Sequence, residues 1–205
     1  DRIIAIGGGA VIDMAKILVL EGNASAADIY QRKAPLKKIH RLVAVPITCG
    51  AGSEVSNVSI VEMTGMHTKL GLACDEIYAD DAVLIPELLQ ELPWHFFVTS
   101  AIDALIHAIE SYVSPKSNLY TRMFAKKAME MLLSGFRKLA EEGQDYREHL
   151  FEDFLVASNL AAFPLEMQEQ GQFMQCPILE RGISCHPRRS QLSVPHGGVP
   201  GIPGE

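Results

Sequence analysis

Tryptophan occurs once in these 205 residues, aromatic side chains make up only 7% of them, and no two of the four cysteines stand at CxxC spacing. Cys49, Cys74, Cys176 and Cys185 lack the density of a disulfide scaffold, so they read as reduced thiols. Concentrated positive charge is missing too. The 18 basic residues are outnumbered by 25 acidic ones, for a formal charge of −7, and nowhere gather as a phosphate-backbone binder requires; nucleic acid is excluded as a partner. No uninterrupted apolar run approaches the roughly 18 to 20 residues of a bilayer span, and Asp1 and Arg2 lead into a strand-like run, not a signal peptide. The expectation is a soluble, cytoplasmic protein without a membrane partner. An initiator Met is also lacking, and sequence upstream of Asp1 is expected.

What is present suits a globular chain of one large or two small domains, 48% hydrophobic and 21% charged. Residues 2–6 (RIIAI) form a short β-branched run that stops at Gly7, Gly8 and Gly9, after which Ile12, Ala15, Ile17 and Leu18 recur at near-helical spacing. The order repeats at residues 41–46 (RLVAVP), which run into a small-residue loop, residues 48–53. Two strands ending in glycine-rich turns predict an α/β layer with its site at the strands' carboxyl ends. Residues 58–73 read as paired strands around Thr64 and Gly65, and residues 81–85 (DAVLI) as a further buried strand. Beyond Pro86, Pro93 and Trp94 the pattern turns helical. Helices are predicted over 98–112, with Thr99 or Ser100 as cap and Ile102, Leu105, Ile106 and Ile109 as the apolar stripe, over 120–142, and over 146–160.

Three places can carry chemistry. Glycines at a strand-to-helix turn let backbone N–H groups approach a diphosphate, helped by the positive end of the helix. A plain structural turn looks the same, with Asp13 and Lys16 merely a solvated helix face. The loop 48–53 offers hydroxyls and amides to a cofactor, although a tight unliganded loop reads alike. Asp103 and His107, four apart on a helix, point from one face and suit a metal ion as oxygen and nitrogen donors. The alternative is an Asp–His hydrogen bond inside the core, with Glu110 part of the same polar patch or at the surface.

Taken together, GGGAVIDMAK (7–16), VPITCGAGSEVS (45–56) and SAIDALIHAIESYVSP (100–115) resemble the iron-containing alcohol dehydrogenase family. The wording HTKLGLACDEIYADDAVLIPELL and IDALIHAIES is most similar to its 4-hydroxybutyrate dehydrogenase branch. The resemblance implies a dehydroquinate synthase-like architecture: a partial α/β nicotinamide-cofactor domain over 1–92, then the start of an all-helical metal domain over 93–161. It places Gly7, Gly8, Gly9 and Asp13 at NAD or NADP, with Thr48, Ser53 and Lys69 around its phosphates, ribose or nicotinamide. Asp103 and His107 become ligands of a divalent metal, ferrous iron or alternatively zinc. The implied activity is oxidation of a small primary alcohol, 4-hydroxybutyrate foremost, with lactaldehyde, propanediol or simple alcohols as alternatives, in a homo-oligomer. A catalytically dead fragment is the rival reading. Ile47 and Ala51 stand where the family usually has Thr.

The wording lapses after Ala161. Two further histidines of the family's metal site belong to segments absent as written, and residues 162–205 read as an aberrant, disordered tail. Codons compatible with residues 162–177, joined out of frame, permit GISFGNAGTGAVHAMSY, which points to frame shifts near residues 161 and 178. His186 and His196, the latter within a family-like VPHG, stand as substitutes for the missing ligands.

Overall fold

The computed structural model describes residues 1–22, 24–64, 68–168, 184–186 and 189–193, with side chains as far as residue 164. Residues 1–172 form one compact unit and residues 173–205 another.

The first unit begins with β1 (Arg2–Gly7), the turn residue Gly8 and α1 (Gly9–Leu18). A short helix α2 (Ala26–Tyr30), capped by the Ser25 hydroxyl, precedes β2 (Arg41–Pro46). β1 and β2 pair in parallel, Arg2 with Arg41 through Gly7 with Pro46, and β5 (Asp81–Ala82) joins the far side of β2. Ala5 of β1, Ile12 and Ala15 of α1, Val19 at its carboxyl cap, and Leu42 and Ala44 of β2 close a small core. Side chains alternate across a strand, so Ile4 and Ile6 point to the opposite face, where they are 58% and 60% exposed. Residues 81–85 depart from the buried strand expected of them: only two residues pair, and Val83 and Ile85 are exposed. An apolar run becomes a buried strand only when something covers it. The paired strands read over 58–73 are β3 (Val58–Met63) and β4 (Thr68–Ala73), antiparallel with Val58 opposite Ala73; Gly65 lies outside the described residues.

The helical layer consists of α3 (Trp94–Val113), α4 (Leu119–Glu142) and α5 (Phe151–Gln168). α3 starts a turn earlier than its spacing predicts, directly after Pro93, and Thr99 and Ser100 lie inside it, bonding back to the Phe96 and Phe97 carbonyls. Its buried stripe is Phe97, Ala101, Ala104 and Ala108, whereas Ile109 is exposed and Ile102, Leu105 and Ile106 are half-buried. Small residues let helices approach closely, and this stripe meets Ala128 and Leu132 of α4 and Phe154, Leu155, Ala157 and Ala161 of α5 in the main core. α4 is held at its start by a reciprocal cap between Asn118 and Thr121 and stops at Gly143, where φ is +92°. α5 runs past the expected end near residue 160, taking in Pro164. Among the described residues α3, with 20 residues and a mean hydropathy of 1.3, is the one helix long and apolar enough to cross a membrane by length and composition. Asp103, His107 and Glu110 nevertheless lie along it, and its alanine stripe is taken up by α4 and α5.

In the second unit β6 (Ser184–His186) and β7 (Arg189–Ser193) pair antiparallel. Cys176 and His196 lie outside the described residues.

Candidate functional site

The two glycine-rich segments leave the carboxyl ends of adjacent parallel strands, and the sheet brings them together. The Ile47 N–H donates to the Gly7 carbonyl at 3.1 Å. A methyl group added at Gly8 would lie 3.4 Å from Thr48 Cγ2, and one at Gly9 only 3.1 Å from Ser53 Oγ. Gly7 has no room for one at all, since Val11 Cβ would be 2.5 Å away. The turn is therefore tight against α1 at Gly7 and closely approached by the loop at Gly9. Gly8 is the helix N-cap with no side-chain cap bond, and the first turn holds no acidic residue. Amino-terminal N–H groups and the helix dipole thus face the loop without a built-in anion.

Asp13 and Lys16 are not a solvated face. Asp13 is 8% exposed and Lys16 0%. The Asp13 carboxylate accepts the Ile60 N–H at 3.1 Å and stands 3.7 Å from Lys16 Nζ. Burial lifts its carboxyl above the ordinary aspartate value, against the pull of Lys16. Of the residues read as cofactor contacts, Gly7, Gly8, Gly9, Thr48, Ser53 and Asp13 are gathered in one place, with Asp13 behind the loop. Lys69 is exposed on β4, across the ladder from Glu62.

Beyond Thr48 the loop turns into the helical layer. Cys49 is fully buried, its Sγ 3.4 Å from Ser100 Oγ, and its thiol is pushed up to about 11 by burial. A methyl group at Gly50 would lie 3.0 Å from both Cβ and the carbonyl oxygen of Ser100. Gly52, with φ at +61°, would put one 2.1 Å from Ala162 Cβ. The buried Glu54 accepts a 3.1 Å bond from Asn159, and burial raises its carboxyl too. Sequence reasoning passed over Glu54 and Asn159, for neither sits in a pattern that marks it.

The contact at Ser100 lies one turn before Asp103, a rise of about 4.5 Å along the helix. Asp103 and His107 come from the same side of α3, each about three-quarters buried, with His107 Nε2 4.0 Å from Asp103 Oδ1. That is too long for a hydrogen bond, so the core-pair alternative is not the arrangement found. Two bonds of about 2.1 Å each span up to about 4.2 Å, so one metal ion can take both groups. His107 Nδ1 is buried without a hydrogen-bond partner among the described residues. Glu110, one turn on, is raised by burial and feels both groups. Donor chemistry and spacing fit a divalent ion, but among the described residues no three His, Cys, Asp or Glu side chains form a metal cluster.

The family model described as iron-containing alcohol dehydrogenase matches residues 1–86, and that of the C-terminal part of the Fe-containing family matches residues 97–198. The second match extends past the point near Ala161 where the wording lapses. The chain is 55% identical over 161 residues to 4-hydroxybutyrate dehydrogenase of Clostridium kluyveri, covering 78% of this chain and 43% of that enzyme. Among solved structures, an iron-containing alcohol dehydrogenase of Thermotoga maritima superposes with TM-score 0.66 at 28% identity, over 78% of this chain and 45% of that one. Sulfoacetaldehyde reductase of Bifidobacterium kashiwanohense, solved with NAD+, gives 0.69 at 25% identity, over 80% and 45%. The chain thus spans less than half the length of each of these relatives.

Proposed function

This chain belongs to the iron-containing alcohol dehydrogenase family, and from that premise we propose that it carries the dinucleotide site and half of the metal site of an NAD(P)-dependent dehydrogenase acting on 4-hydroxybutyrate and succinate semialdehyde. One observation carries the reading: the loop 48–53 touches both the glycine turn, at Gly8 and Gly9, and α3 at Ser100, one turn from Asp103. A cofactor laid on that loop has its reactive end directed toward the metal helix.

In this reading the amides of Gly8 and Gly9 at the α1 terminus bind the diphosphate, and the Thr48 and Ser53 hydroxyls orient the remainder. Asp13 holds the loop from behind, and Lys69 approaches the cofactor from the β3–β4 hairpin. Asp103 and His107 hold a divalent ion, ferrous iron before zinc, with the other ligands supplied from beyond the described residues. When bound, such an ion supplies Lewis acidity at the alcohol or aldehyde oxygen. The half-buried walls of α3 limit water near the hydride path. The α/β part, 1–92, is thus the cofactor half and the helical part, 93–161, the metal half. The enzyme works dissolved in the cytoplasm, as a homo-oligomer. 4-Hydroxybutyrate ranks above propanediol and simple alcohols because of the similarity to the Clostridium kluyveri enzyme.

A second reading, a chain that binds dinucleotide without turnover, is favoured by the two-donor metal site. The separating experiment measures NADH affinity, metal stoichiometry and 4-hydroxybutyrate oxidation on one preparation, beside His107→Ala. Binding, about one metal per chain and turnover, with metal and turnover lost in the variant, support the dehydrogenase. NADH binding without metal supports the second reading, and no NADH binding sinks both.

A further inference from the structure

Lys16 is the only lysine or arginine among the large, fully buried side chains of the described residues. A buried ammonium is costly unless its protons are all directed at acceptors. Its Nζ donates to Ser56 Oγ at 3.0 Å and to the Val58 carbonyl at 2.7 Å, and stands 3.7 Å from Asp13. Both bonds reach the stretch that leaves the cofactor loop and enters β3, some 40 residues away in sequence. The other end of the loop is tied differently, by the Ile47 N–H on the Gly7 carbonyl. The loop is therefore anchored at entry by the strand before α1 and at exit by a charge from within α1. Between these anchors Ser53 comes within contact distance of Gly9.

We propose that Lys16 is a positioning residue for dinucleotide binding: it fixes the exit of the cofactor loop against the helix whose amino terminus meets the diphosphate, and so sets the gap between loop and glycine turn. Lys16 touches no cofactor. It acts through Ser56 and Val58. A long cation suits the task because one ammonium serves a hydroxyl and a backbone carbonyl two residues apart and still faces Asp13, which itself accepts the Ile60 N–H. A methionine fills the same volume and serves neither acceptor.

The inference rests on the dinucleotide reading, and the test separates the two. The 205-residue chain, Lys16→Met and Ser56→Ala are titrated with NADH, following the rise and blue shift of nicotinamide fluorescence, with circular dichroism confirming the fold. The expected result is a dissociation constant raised about tenfold in Lys16→Met and about threefold in Ser56→Ala, at unchanged secondary structure. A role confined to stability lowers the melting temperature but leaves the affinity of the folded variants at the wild-type value, which overturns the proposal. Should Lys16→Met fail to fold, Ser56→Ala decides, since it removes one acceptor with little loss of volume. Absence of NADH binding by the unsubstituted chain overturns the dinucleotide reading and this inference with it.

Discussion

Gly52→Ala tests the join between the cofactor loop and the helical layer, and its cost can be worked from two separate terms. At φ +61° the backbone is left-handed, which costs an L-residue roughly 1–2 kcal/mol. The new methyl would also lie 2.1 Å from Ala162 Cβ and 3.4 Å from the Ser158 carbonyl, and overpacking of this kind costs typically about 1–3 kcal/mol. Together they give a loss of about 2–5 kcal/mol, or a melting point lowered by roughly 5–15 °C for a unit of this size. Urea and thermal denaturation of wild type, Gly52→Ala, Ala162→Gly and the double variant form a cycle. Deleting the Ala162 methyl relieves the steric term and leaves the dihedral one, so the coupling should be about 1–3 kcal/mol, with the double variant still less stable than Ala162→Gly. A Gly52→Ala chain that melts within a degree of wild type refutes the reasoning. So does a large loss without coupling to Ala162, which would mean that the loop is not seated there.

Gly135→Ala should destabilise by about 1–3 kcal/mol without touching the cofactor loop, because its methyl would meet the Phe154 ring at 2.4 Å; a falling urea midpoint at constant NADH affinity is the expected pair of results. Burial raises the Glu54 and Asp13 carboxyls, so the folded state holds their protons longer than the unfolded chain does. Their contribution is fully present below the ordinary values, near pH 4, and is lost as pH rises through the raised ones. Glu54→Gln, which keeps the bond from Asn159, should therefore be less sensitive to pH than wild type in urea unfolding between about pH 4 and 8, and parallel curves would contradict the burial argument. Cys49, fully buried and with its thiol near 11, should resist alkylation at neutral pH until the chain unfolds; mass spectrometry locating label on Cys49 in the folded protein would count against that packing.

The local parts of this fold were legible because glycine, proline and periodicity act over a few residues. The turn at Gly7, Gly8 and Gly9, the β3–β4 pairing and the long helices all follow from such signals. What sequence reasoning misjudged depended on what lies alongside. A solvated position was left open for Lys16 although it stands four residues from Ile12 and three from Val19, on the stripe those two bury. The charge was weighed and the phase was not. In α3 the bulky Ile and Leu residues drew the eye to the wrong face, whereas the close approach of α5 selects Ala101, Ala104 and Ala108. The spacing of Asp103 and His107 puts them on one side of α3, but the 4.0 Å separation that excludes a hydrogen bond cannot be read from spacing. Glu54 and Asn159 meet across 105 residues, and no local pattern foretells such a bond.

That last contact bears on the order of folding. Closing a segment of this length is entropically expensive and slow compared with forming helices and hairpins, so the strands and the glycine turn can be in place before α5 arrives. The loop acquires its seat only when Ser158, Asn159 and Ala162 reach it. On the ribosome those residues emerge seconds after the glycine turn, at the usual pace of about 5–20 residues per second. A nascent chain halted before them would hold the glycine turn and the loop tied together at Gly7 and Lys16, with the Gly52 side of the loop still uncovered.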